Sequence, residues 1–166
     1  MEIPAVQPCA VPQPVRDGSA YSQAAVAVTD HPQGRGMKPA LHRILYIEDD
    51  EDIAAVARLT LEHIGRFDVR HFTSGQAAID AYGAVAPHLI LVDVMMPGLD
   101  GPATVTRLMA THGQACAPFI FMTARAQMYE QEQYRALGAL DVILKPFNPM
   151  TLSQTIQEIW DQKHVA

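Results

Sequence analysis

Four short segments of this chain carry polar groups that could do chemistry together. Glu48 and Asp49 follow the apolar run Ile44 to Ile47, Asp93 follows Leu89 to Val92, Thr123 follows Phe119 to Met122, and Lys145-Pro146 follows Val142 to Leu144. Three carboxylates, a hydroxyl and an ammonium suit one divalent cation and one phosphoryl group. Adjacent carboxylates such as Glu48 and Asp49 can hold a hard cation, one directly and one through water. Mg2+ fits, because it keeps several waters and takes one or two carboxylates plus phosphate oxygens. Asp93, ionised beside such a cation, can act as a nucleophile that forms an aspartyl phosphate. Read by itself it is a turn aspartate before Met95-Met96-Pro97-Gly98. Thr123 can donate to a phosphoryl oxygen. Lys145 can pair with Asp93 in the empty site and with phosphoryl oxygens in the filled one. A cis Lys145-Pro146 bond would turn the chain sharply and aim the amine inward.

The elements that must position these groups are legible as alternation. The four runs are short and unbroken, as in strands buried on both faces of a parallel sheet. Asp68 to Phe72 alternates polar and apolar residues, which predicts an edge strand. The segments between read as helices. Ile53, Val56, Ala57, Thr60, Leu61 and Ile64 fall on one helical face, and Asp50, Glu51 and Asp52 suit the negative first turn of that helix. Thr73 to Gln76 has the form of a capping box before a helix over about 75–84. Asp100 caps a third helix, with Pro102 just inside. A fourth runs from Gln127 to Leu137 and stops at Gly138. The last follows Asn148, with Pro149 first and Phe147 and Leu152 spaced as a hydrophobic staple. Its residues Leu152, Ile156, Ile159 and Trp160 then face the sheet. Five strands alternating with five helices predict a doubly wound α/β sheet in three layers. Every polar group named above then sits at the C-terminal edge of the sheet, where such folds bind ligands.

Composition narrows the function classes. The chain has 166 residues, against about 150 per domain as a prior. Its net charge of −6, from 18 acids and 12 bases, argues against a broad nucleic-acid footprint. Cys9 and Cys116 match no metal or redox spacing, so a reducing cytoplasm is the default. The histidines form no metal-ligand pair and read as surface or partly buried residues. No apolar run approaches the roughly 20 residues of a membrane span, and no signal peptide is visible. Residues 1–40 hold six of the twelve prolines and balanced charge, and read as a disordered tail ahead of a domain over 41–164. Met37 is an alternative translation start.

With these residues in place, the chain resembles the response regulator receiver domains of two-component signalling over residues 41–164. The stretches 44–53, 89–101, 119–125 and 142–147 resemble the family's acidic opening, phosphoacceptor loop and last two strand ends, in order and at family spacing. The resemblance implies a flavodoxin-like (βα)5 fold with strand order 2-1-3-4-5. It implies that Asp93 is the phosphoacceptor, and that Glu48, Asp49, Asp93 and the Met95 backbone carbonyl hold Mg2+. Thr123 and Lys145 would bind the phosphoryl group. The donor would be a sensor histidine kinase or a histidine phosphotransfer protein. With no DNA-binding or enzymatic output segment visible, the expectation is a stand-alone cytoplasmic member. It would signal or relay in trans to another protein, with no direct DNA or membrane binding, and a homodimer through the last two α/β units is an open expectation. It is not expected to be an enzyme beyond self-directed phosphotransfer and autodephosphorylation.

Three positions depart from or qualify that pattern. The family usually has Tyr or Phe three residues before the lysine, where this chain has Val142, so the readout of phosphorylation on the fourth-helix and fifth-strand face should differ. Met95 and Arg125 offer no carboxylate or amide to orient a water, which predicts slow self-dephosphorylation. Two other function classes use related residues. A Mg2+-dependent aspartyl-phosphate phosphatase of haloacid-dehalogenase type would carry Asp-x-Asp after the first strand, where this chain reads Glu48-Asp49-Asp50. A phosphorylation-independent interaction module would normally have lost some of the acids or the lysine, and none is lost.

Overall fold

A computed structural model describes residues 40–125 and 127–163. The tail expected over 1–40 therefore lies outside the described residues except for Ala40, as do Cys9 and Met37. Five strands alternate with five helices: β1 (Arg43–Ile47), α1 (Glu51–His63), β2 (Asp68–Phe72), α2 (Gly75–Val85), β3 (Leu89–Asp93), α3 (Gly101–His112), β4 (Phe119–Thr123), α4 (Met128–Ala136), β5 (Val142–Leu144) and α5 (Pro149–Lys163). The strands form one parallel sheet in the order β2-β1-β3-β4-β5. The fold expected from the sequence is the one observed.

The unbroken apolar runs are explained by the two layers they serve. Successive strand side chains point to opposite faces. Ile44, Tyr46, Leu89, Leu91, Ile120 and Met122 pack with Leu61, Ile156 and Trp160 of α1 and α5. Leu45, Ile47, Ile90, Val92, Phe119 and Phe121 pack with Ala78, Val105 and Leu108 of α2 and α3. Each fully buried large side chain contributes about 1.5–3 kcal/mol, so both faces of the central strands stabilise the sheet.

Helix starts are fixed by side-chain caps. The Asp50 carboxylate accepts from the backbone N–H of Asp52 and Ile53, both at 3.0 Å, and Asp100 accepts from Ala103 at 2.8 Å. Asn148 caps α5 through the N–H of Met150 at 2.9 Å, and Phe147 packs with Leu152 in the same core cluster. Gly138 ends α4 with φ of 98°, a left-handed conformation that glycine adopts without Cβ strain. The Lys145–Pro146 peptide bond is cis.

Three expectations need correction. The cap of α2 is Ser74, which accepts from Ala77, so the box from Thr73 to Gln76 does not form; the Gln76 amide instead donates to Asp80. The buried stripe of α1 is Ala54, Ala57, Thr60 and Leu61, while Val56 and Ile64 are exposed. α1 packs closely against α5, where the Ser153 hydroxyl donates to the Thr60 carbonyl at 3.1 Å, and a small side chain serves that approach better than a valine. β5, an edge strand, buries only Ile143 fully, and Leu144 is exposed.

Candidate functional site

The strand tips of β1, β3 and β5 bring Glu48, Asp93 and Lys145 together. The Lys145 ammonium lies 2.5 Å from Glu48 Oε2 and 3.0 Å from Asp93 Oδ1. All three side chains are at least nine-tenths buried. Charges so placed are costly unless paired, and here one ammonium bridges two carboxylates. The sequence anticipated the partner Asp93; the partner Glu48 is new.

Glu48, Asp49 and Asp93 each offer a carboxylate oxygen, and these lie within 4.8 Å of one another. Three converging carboxylates with one nearby cationic side chain leave an excess of negative charge. Burial pushes the Glu48 carboxyl above its ordinary value; the Lys145 hydrogen bond pulls it back, and the Asp93 charge adds to the rise. Hard oxygen donors in this arrangement fit Mg2+. The group opens into a cavity of about 690 Å3 that Met95, Ala124 and Phe147 also line. Met95 is exposed in the loop after β3.

Thr123 is not part of this first cluster. Its side chain, 1% exposed, lines an adjoining cavity of about 490 Å3 with Met95, Arg125, Glu130 and Tyr134. There its hydroxyl oxygen accepts from the Arg125 N–H at 3.1 Å. The Thr123 carbonyl accepts from the Lys145 N–H at 2.8 Å, so β4 still fixes the height of the lysine.

Sequence reasoning missed a layer behind the acids. The buried Tyr46 hydroxyl donates to Glu48 Oε2 at 3.3 Å. Its own proton is held far more tightly than an ordinary phenol's, by burial first and the Glu48 charge second. His71 Nε2 lies 2.9 Å from the Glu48 carbonyl oxygen, which can only accept, so Nε2 carries the proton. Tyr46 and His71 are register partners on β1 and β2, with ring centroids 5.4 Å apart. The available signal was Tyr46 standing two residues before Glu48, on the same face of one strand. Gly101 was also missed. A Cβ there would collide with the Asp93 backbone carbonyl, so α3 can start beneath the β3 tip only from a glycine.

The comparisons agree with this geometry. The model of the response regulator receiver domain matches residues 44–157. The transcriptional regulatory protein CseB of Streptomyces avermitilis is 33% identical over 116 residues, covering 70% of this chain and 48% of its own. The uncharacterized transcriptional regulatory protein YkoG of Bacillus subtilis is 38% identical over 104 residues, covering 63% and 44%. The chain thus spans about half the length of these curated relatives. Among solved structures, Vibrio cholerae chemotaxis protein CheY4 superposes with a TM-score of 0.66 at 26% identity, covering 72% of this chain and 99% of that one. The signal receiver domain of a modulated diguanylate cyclase from Desulfovibrio desulfuricans gives 0.62 at 29% identity, covering 75% and 97%. A five-stranded parallel sheet whose strand tips gather three acids and a lysine, matched by the receiver model over most of the described residues, places this protein in the response regulator receiver domain family of two-component systems.

Proposed function

We propose that this chain accepts a phosphoryl group on Asp93 from a histidine kinase or a histidine phosphotransfer protein, and signals or relays by contact with another protein. The observation that carries the reading is the Lys145 ammonium 3.0 Å from Asp93 Oδ1, beside Glu48 and Asp49 at the mouth of an open cavity. An Asp93 oxygen attacks phosphorus, the phosphorus–nitrogen bond of the donor phosphohistidine breaks, and its electron pair returns to the imidazole. Lys145, already held at Asp93, exchanges carboxylate for phosphoryl oxygens. Mg2+ held by Glu48, Asp49, Asp93 and the Met95 carbonyl would neutralise charge on the transferring group. Thr123 donates to a phosphoryl oxygen after turning out of its adjoining cavity.

The chemistry is self-directed: the acyl phosphate forms on this chain and is lost by hydrolysis or onward transfer, without turnover of free substrates. Output passes to a protein partner, without direct DNA contact, in a cytoplasmic setting. Among the described residues no helix is long and apolar enough to cross a membrane, which is compatible with that setting.

The test is intact mass after incubation with Mg2+ and acetyl phosphate. One added phosphoryl group, absent in Asp93→Asn, supports the reading. Rapid multiple turnover of phosphate esters would replace it with a phosphatase, and no modification by donor or kinase would replace it with an interaction module.

A further inference from the structure

The hydroxyl of Thr123 and the ring of Tyr134 share one cavity. Tyr134 stands on α4, and its ring centroid is 5.0 Å from that of Phe121 on β4. The β5 residue paired with Phe121 is Val142, which is too small to cover that ring, so α4 supplies the aromatic cover. The same cavity is bounded by Arg125 and Glu130. Arg125 holds Thr123 through its N–H and Glu130 through its guanidinium, at 3.5 Å. Among the described residues the other Glu130 oxygen, Oε2, is buried with no hydrogen-bond partner, so within them this end of α4 is imperfectly satisfied in the resting arrangement. None of the nine residues of α4, all of them described, is buried, so little packing resists its displacement.

We propose that Tyr134 couples the position of the Thr123 hydroxyl to the position of α4. The inference rests on phosphorylation at Asp93. When Thr123 turns toward a phosphoryl oxygen it vacates space beside Phe121. The Tyr134 ring is the aromatic group lining that space, and its inward movement draws α4 toward the sheet. The Arg125–Glu130 pair is broken or rebuilt in the same step, because Arg125 follows Thr123 by two residues. Tyr134 is thus a positioning residue, acting through Thr123 and touching no reacting atom.

The experiment uses the full chain labelled with 3-fluorotyrosine, with the Tyr134 fluorine resonance assigned by its loss in Tyr134→Phe. Acetyl phosphate and Mg2+ are added, and intact mass gives the phosphorylated fraction. The expected result is a Tyr134 resonance that moves in proportion to that fraction. In Thr123→Val it stays in place when spectra of the two proteins are compared at matched phosphorylated fractions, however long the variant takes to reach them. Amide exchange over α4 should change on phosphorylation in the parent chain and stay unchanged in Tyr134→Ala. Phosphoryl uptake with an unmoved Tyr134 resonance, or an identical α4 response in Tyr134→Ala, overturns the inference. Absence of phosphoryl uptake in the parent chain overturns the proposed function, and this coupling with it.

Discussion

Lys145 and Asp93 stand at the tips of strands separated in the sheet by β4, yet the Lys145 ammonium reaches Asp93 Oδ1 at 3.0 Å. Because the same ammonium also holds Glu48, it is the counter-charge for two buried acids. Lys145→Gln should therefore destabilise the metal-free protein by about 3 kcal/mol, as removal of one partner from a buried pair does. Added Mg2+ should recover more stability in the variant than in the parent, since the acids then lack a competing ammonium. Urea unfolding with and without Mg2+ measures both effects. Equal gains from Mg2+ would separate the lysine from the metal group.

Asp93→Asn should act in the opposite direction on stability. It removes one of three clustered carboxylates and one of the causes that raise the Glu48 carboxyl. An increase of about 1 kcal/mol is expected, together with weaker Mg2+ binding and no phosphoryl uptake. Unfolding curves and calorimetric Mg2+ titration of the two proteins check it.

Gly101→Ala tests the close approach of α3 to the β3 tip. The new Cβ meets the Asp93 carbonyl, so Asp93 or the helix start must shift. The cost should be about 1–3 kcal/mol, typical of overpacking. Phosphorylation by acetyl phosphate should slow even at temperatures where the variant is fully folded.

The pH dependence of the sheet edge is set by Asp68. The hydrogen bond from Arg43 holds its carboxyl below the ordinary value, with the Arg70 charge adding to the effect. A lowered folded-state value means that the stabilisation is fully present above the ordinary aspartate range. It is lost as pH falls through the folded-state value. Both partners are about two-fifths exposed, so the contribution is a few tenths of a kcal/mol to about 1. Asp68→Asn should be weaker than the parent by that amount at pH 7 and equal to it in strong acid, as acid–urea titrations would reveal.

The acyl phosphate should be long-lived. Met95 is an exposed thioether beside the cavity, and the Arg125 side chain is turned to Glu130. Neither orients a water for attack on phosphorus. A half-life of minutes or longer is expected in the purified protein, shortened by Met95→Asn; decay within seconds would count against the assignment.

The fold and the acids were legible because four of the five strands carry an unbroken apolar run that ends abruptly in a polar residue, and the fifth, β2, alternates as an edge strand does. Glu48, Asp93 and Lys145 needed nothing but the topology to meet. What escaped were choices that only packing makes. Thr73 and Ser74 are both competent caps, and the helix begins at Gly75, which makes Ser74 its cap. Val56 and Ala54 both fit an apolar stripe, and the close neighbour α5 favours the smaller. Tyr46 read as one more apolar strand residue until register set His71 beside it and Glu48 within reach of its hydroxyl. Thr123 ends its strand where expected, but side-chain rotation, invisible in a sequence, turns it into the neighbouring cavity.

The unburied state of α4 has a consequence for how such a protein can change over generations. Its outward residues, Met128 and Tyr129 among them, can be replaced without disturbing either core layer or the strand tips. New binding preferences can therefore be written on this helix by single substitutions that leave folding and phosphate chemistry as they were.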